Sequence, residues 1–163
     1  MRWFDVGNLL MSDSVFGFAK PEDSLGFLLW QITTAWQRSI RKALDPFHLT
    51  HPQFVIMASL LWFKEQKKVP TQVQIAGMSG LDKMTVSTAI RALVDLGYVI
   101  RAEHKTDTRA KTVQLTISGK RLVSKVVPMV EGIDAAFFGV LSDKEQRELA
   151  GSFVSLYKNQ RMG

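Results

Sequence analysis

Between residues 50 and 116 the chain is punctuated so densely that few arrangements of secondary structure fit. Thr50-x-x-Gln53 is a capping box, a hydroxyl at a helix start answered by a glutamine three residues on, with Pro52 tolerated in the first turn. Phe54, Met57, Ala58, Leu61 and Trp62 supply the expected buried stripe of that helix. After Lys67-Lys68-Val69-Pro70 a second capping box, Thr71-x-x-Gln74, opens a brief helix bearing Val73, Ile75, Ala76 and Met78, which Ser79-Gly80 ends. Asp82 is placed to cap a third helix, with Val86, Ile90, Leu93 and Leu96 inward and Gly97 as its stop. Two short helices around a tight glycine-containing turn form a helix-turn-helix pattern.

The period then changes. Tyr98-Val99-Ile100-Arg101 and Thr112-Val113-Gln114-Leu115-Thr116 are β-prone runs either side of a polar segment, Ala102 to Lys111, so a hairpin with a long tip is expected. Helix-turn-helix followed by a two-stranded hairpin is the layout of a winged helix. Longer helices flank it. Leu25, Leu28, Leu29, Ile32, Trp36, Ile40 and Leu44 recur at steps of three and four until Asp45-Pro46 stops the helix. Thr116 or Ser118 can cap another, carrying Leu122, Val126, Val127, Val130, Ile133 and Phe137, with a kink expected at Pro128. Ser142-x-x-Glu145 opens the last, marked by Leu149, Phe153 and Leu156. The expected fold class is mainly α with a small β-hairpin. One domain over residues 1–163 would combine a winged helix-turn-helix lobe at 50–116 with helical segments at 1–49 and 117–163.

Composition narrows the function classes. With 46% hydrophobic and 22% charged residues among 163, the chain matches soluble globular proteins and excludes a disordered tail, a collagenous repeat and an integral membrane protein. The absence of Cys removes disulfides, thiolate zinc sites and cysteine redox switches. The N-terminus, interrupted by Asp5 and Asp13, lacks the apolar run of a signal peptide. The most apolar stretch, Phe54 to Phe63, is about half a membrane span, so a cytoplasmic protein without a membrane partner is expected.

The net charge of +6 is local. Residues 64 to 125 hold twelve Lys or Arg against five Asp or Glu, and the remainder is nearly neutral. Of ten Phe, four Trp and two Tyr, only Tyr98 lies inside that window. A basic, aromatic-poor segment between aromatic-rich flanks points to an anionic partner, nucleic acid above all, met by one part of the chain.

On that reading the second helix of the helix-turn-helix lays its outward face in a DNA major groove, with its N-terminal residues nearest the base edges. Its candidate DNA-binding residues are Lys83, Thr85, Ser87, Thr88 and Arg91, with Met84 beside them. Short hydroxyl side chains approach bases closely, Lys83 can take a phosphate or a guanine, and Arg91 has longer reach. On the hairpin tip Arg109 is the candidate for the minor groove, where narrow A·T segments concentrate negative potential, with Lys105 and Lys111 on phosphates. Asp107 would brace the turn or position Arg109. The competing reading is a solvated helix face and an exposed charged loop. It accounts for any one of these residues and less well for the whole basic window.

Thr71-Gln72, Ile75-Ala76, Leu81, Thr85-Val86, Leu93, Leu96-Gly97-Tyr98-Val99, Arg101, Asp107-x-Arg109 and Leu115-Thr116-x-x-Gly119 together resemble the MarR family (multiple antibiotic resistance regulators) over residues 50 to about 125. The resemblance implies a sequence-specific transcriptional regulator, expected to repress, that binds double-stranded DNA as a homodimer on a pseudo-palindromic operator. It implies that the first and last helices pair across the two-fold axis, which makes 1–49 and 117–163 a dimerisation region. Many members are released from DNA by small aromatic ligands. Two positions depart from the family pattern. Thr108 stands where the first Arg of an Asp-Arg-Arg wing motif is frequent, and Thr88 where the recognition helix often has Arg. The operator sequence therefore does not carry over from relatives.

Trp30, Trp36, Phe47, Phe54 and Trp62 fall where the family joins dimer base to DNA lobe, and are candidates to line a pocket for a flat apolar effector. Aromatic residues at helical spacing more often serve as core or dimer interface. Arg38, Arg41 and Lys42 could meet an effector carboxylate. His48-x-x-His51 does not complete a metal site by itself, and no metal or other cofactor is expected. A Gly-rich phosphate loop, a nucleophile elbow and a zinc-protease motif are all lacking, so no enzymatic activity is expected. The alternative function is a winged helix that binds protein without operator specificity. The basic window argues against it, because protein-docking faces are depleted of Lys.

Overall fold

The computed structural model describes residues 15–103 and 111–160. The helices and strands are α1 (Leu25–Leu44), α2 (His51–Glu65), α3 (Gln72–Ser79), α4 (Lys83–Asp95), β1 (Val99–Glu103), β2 (Lys111–Leu115), α5 (Ile117–Phe138) and α6 (Asp143–Gln160), with 3-10 turns at Pro21–Asp23 and Asp45–Phe47. Among the described residues this is the mainly α architecture with one hairpin that the sequence implies. By internal contact the chain divides into two units, Met1–Trp36 and Gln37–Gly163. In the first, Leu25, Phe27, Leu29, Trp30 and Ile32 of α1 are all exposed.

In the second unit the helices begin where side chains satisfy their free N–H groups. Thr50 Oγ1 accepts the Gln53 N–H at 3.4 Å while Gln53 Oε1 accepts the Thr50 N–H at 2.8 Å. Thr71 and Gln74 repeat the exchange at 3.3 and 2.8 Å, and Ser142 and Glu145 do so before α6. The core forms around α2, which packs on α3, α4, α5 and β2. Ile56, Met57 and Leu60 are buried with Ile75, Val86, Ile90, Leu93, Val99, Val113, Val123 and Val126.

That central position corrects the stripe read for α2. A helix packed on four elements has no single buried face, so Gln53 and Ser59 go under while Trp62 is left 55% exposed and Ala58 and Leu61 are half-buried. On α3 only Ile75 is buried, and Val73 and Met78 are exposed. On α4, Ala89 takes the inward place expected of Leu96, which is the C-cap and exposed. Helix α5 runs through Pro128 as one element and buries Gly119, Val123, Val126 and Val130. None of the residues of α6 is buried.

β1 and β2 pair antiparallel, with Val99 opposite Leu115, Arg101 opposite Val113 and Glu103 opposite Lys111. A third segment joins them. Thr71 bridges Thr112, and the Val113 N–H donates to the Pro70 carbonyl at 3.0 Å, which ties the start of α3 to the hairpin.

The hairpin is fastened to α5 at one tight junction. Gly97 turns the chain out of α4 with φ of 72°, in the left-handed region that favours glycine. Its carbonyl accepts from the Thr116 hydroxyl at 2.8 Å and from the Ser118 hydroxyl at 3.0 Å. Thr116 is the cap, since its Oγ1 also accepts the Gly119 N–H at 3.0 Å. Gly119 approaches so closely that a Cβ there would lie 2.0 Å from the Tyr98 carbonyl oxygen. No described helix is long and apolar enough to cross a membrane.

Candidate nucleic-acid interface

Helix α4 presents the candidate surface, and its first turn is fixed before any ligand arrives. Asp82 Oδ1 accepts the Thr85 N–H at 2.8 Å and its Oδ2 accepts the Thr85 hydroxyl at 2.5 Å. These bonds, the hydroxyl one foremost, hold the Asp82 carboxyl below the usual carboxylate range. The ionised carboxylate commits the Thr85 hydroxyl proton to Asp82, so that side chain keeps only acceptor capacity toward any other partner.

Burial of Val86, Ala89, Ile90 and Leu93 decides which face is free. Met84, Thr88 and Arg91 are exposed on the far side, at positions i, i+4 and i+7 of one stripe. Lys83 is exposed on the flank, where with Thr71, Gln72 and Lys111 it lines a groove of about 220 Å³ between the start of α3 and β2. Thr85 and Ser87 are half-buried at the stripe's margins. Neither Lys83 nor Arg91 has a carboxylate within 4.0 Å among the described residues, so both cations face solvent.

The wing base is different. Lys111 Nζ donates to Glu103 Oε1 at 2.9 Å, across the strand register. The hydrogen bond and then the ammonium charge hold the Glu103 carboxyl below its usual range. Lys111 thus enters any phosphate contact already partnered. Lys105, Asp107, Thr108 and Arg109 lie outside the described residues.

Of the five aromatic candidates, Phe47, Phe54 and Trp62 belong to the second unit and Trp30 and Trp36 to the first. Phe54 is 7% exposed, within the core, and Trp62 stands eight residues further along α2, about 12 Å up the axis. Phe47 is half-buried under the Lys125 ammonium, 5.4 Å from its ring centre. In the first unit Trp30 is exposed and Trp36 half-buried. A groove of about 470 Å³ opens at the head of α2, with Arg41, Thr50, His51, Val55 and Leu81 among its walls. Burial lowers the His51 pKa, against the nearby Asp134 charge and with help from Arg41. His48 is exposed with φ of 53°. Among the described residues no three His, Asp or Glu side chains gather as a metal site would require.

Comparison with known proteins agrees with the winged-helix fold. The ArnR1-like winged-helix domain matches residues 45–131. An uncharacterized HTH-type transcriptional regulator of Bacillus subtilis (strain 168), YdcH, is 40% identical over 128 residues, covering 78% of this chain and 87% of that protein. A mutant MarR from Escherichia coli, solved with operator DNA, is similar with a TM-score of 0.72 at 21% identity, over 81% of this chain and 92% of its own. Bordetella bronchiseptica BpsR, whose DNA binding is regulated by 6-hydroxynicotinic acid, gives 0.77 at 23% identity, over 86% and 98%. At those identities the two structures speak for the fold.

Proposed function

Because the chain belongs to the ArnR1-like winged-helix family and shares its fold with MarR-family structures, we propose that it is a MarR-type regulator of transcription that binds double-stranded DNA as a homodimer on a pseudo-palindromic operator, as a repressor acting in the cytoplasm and without enzymatic activity. The observation that carries this reading is the exposed α4 stripe of Met84, Thr88 and Arg91, held by a cap, a core and a wing inside the basic window. Residues 50–116 form the DNA lobe, and 1–49 with 117–163 the dimerisation region. The exposed apolar side chains of α1, and Phe153, Val154, Leu156 and Tyr157 of α6, support that division, since monomers seldom leave such faces uncovered.

Two copies must set their α4 helices about 34 Å apart to enter successive major grooves. An effector that prefers another spacing weakens DNA binding without touching DNA. The groove at the head of α2 suits an aromatic acid, with Arg41 for the carboxylate and Val55 and Leu81 as apolar wall. The control of BpsR by 6-hydroxynicotinic acid supports that ligand class.

Salt dependence tests the DNA reading against a protein-docking module. Affinity for an operator is expected to fall steeply with salt, and Arg91→Ala or Arg109→Ala to flatten the logarithmic slope by about one contact per subunit. Weak binding indifferent to sequence would refute it.

A further inference from the structure

The outward stripe of α4 opens with an apolar side chain that packing does not explain. Met84 is 77% exposed on the first turn. At 100° per residue it lies about 160° from the buried Val86, squarely away from the core. Its neighbours on that surface are Lys83, Thr88 and Arg91, all exposed and polar. A protein pocket would call for a broader apolar patch around it, whereas a lone thioether among cations fits an apolar spot embedded in a polyanion. The major groove offers one such spot, the C5-methyl of thymine. Residues at the N-terminal end of a recognition helix come nearest the base edges, and the Asp82–Thr85 clasp fixes the backbone that carries Met84.

We propose that Met84 is a specificity-determining residue whose side chain packs on the C5-methyl of one thymine in each half-site. This rests on the reading that α4 enters the major groove. Met suits the task because an unbranched, polarisable chain adapts to a small apolar target. Lys83 and Arg91 supply phosphate or guanine contacts to either side but cannot sense the methyl.

The experiment replaces each thymine of a selected operator in turn by deoxyuridine, which keeps the base pair and removes only the methyl. The parent protein and Met84→Ala are compared by fluorescence anisotropy. At one thymine per half-site the parent is expected to lose about fourfold in affinity, the equivalent of one buried methyl. Met84→Ala is expected to bind thymine and uracil operators equally there, and Met84→Leu to keep a preference for thymine. Because Met84 is exposed, both variants should fold as the parent does, which circular dichroism and melting check. Equal uracil penalties in parent and Met84→Ala at every position, or none in the parent, would overturn the assignment. A random pool that yields no enriched duplex overturns the DNA reading itself, and the assignment with it.

Discussion

Replacing Gly119 by alanine tests the junction that fixes the wing to α5. Its Cβ would lie 2.0 Å from the Tyr98 carbonyl oxygen and 2.8 Å from the carbonyl carbon, both backbone atoms that no rotamer change can move. Ordinary carbon–oxygen contacts are about 3.3 Å or longer, so the helix start and the hairpin must separate by about 1 Å. Overpacking costs about 1–3 kcal/mol, here at the upper end because the obstacle is backbone. The same oxygen accepts the Thr116 N–H at 3.0 Å, and weakening that bond costs about 1 kcal/mol more. Alanine's better helix propensity returns about 1 kcal/mol. The expected net loss is about 3 kcal/mol, seen in urea unfolding at fixed protein concentration as a midpoint about 1 M or more below the parent's. Ser124→Ala, an exposed change on the same helix, should stay within about 0.5 kcal/mol. A Gly119→Ala protein as stable as the parent would refute the close approach.

Thr116→Val removes the hydroxyl that accepts from Gly119 and donates to Gly97, and should cost about 1–2 kcal/mol in the same unfolding assay. The Glu103 carboxyl should titrate below the usual range in an NMR pH series and return to it in Lys111→Met. Its depressed pKa means that its support of the wing is whole above the unfolded-state value and is lost as pH falls through the folded one. A titration that Lys111→Met leaves unmoved would count against the pair. His51 should likewise titrate below the usual imidazole value, its neutral form favoured by burial, so its contribution is lost as pH falls through the folded pKa. Arg41→Gln should raise that midpoint and Asp134→Asn lower it, and the opposite order would contradict the placement of the two charges.

Much of the fold was legible because its signals are local. Thr50 with Gln53, Thr71 with Gln74 and Ser142 with Glu145 satisfy backbone groups within one helical turn, so spacing alone reveals them. What escaped depends on partners distant in sequence. The buried arc of α2 follows from four neighbours, which sent Ser59 inward and Trp62 outward. The bridge from Thr71 to Thr112 joins residues that no periodicity links. Gly119 stood in the motif after Leu115-Thr116, but the carbonyl it must clear belongs to Tyr98. On the interface, Lys83, Thr88 and Arg91 were readable from the core pattern of α4. The engagement of Thr85 by Asp82 and of Lys111 by Glu103 required the cap geometry and the strand register. Met84 carried a signal too, an apolar residue out of step with the buried stripe.

The central claim, a symmetric dimer reading DNA through α4, is tested most directly by selecting bound duplexes from a random pool. The expected result is a consensus with two-fold symmetry whose half-sites lie about 10 base pairs apart, one turn of the duplex. An asymmetric consensus would contradict the dimer, and a pool with no enriched sequence would contradict the claim that this chain reads DNA.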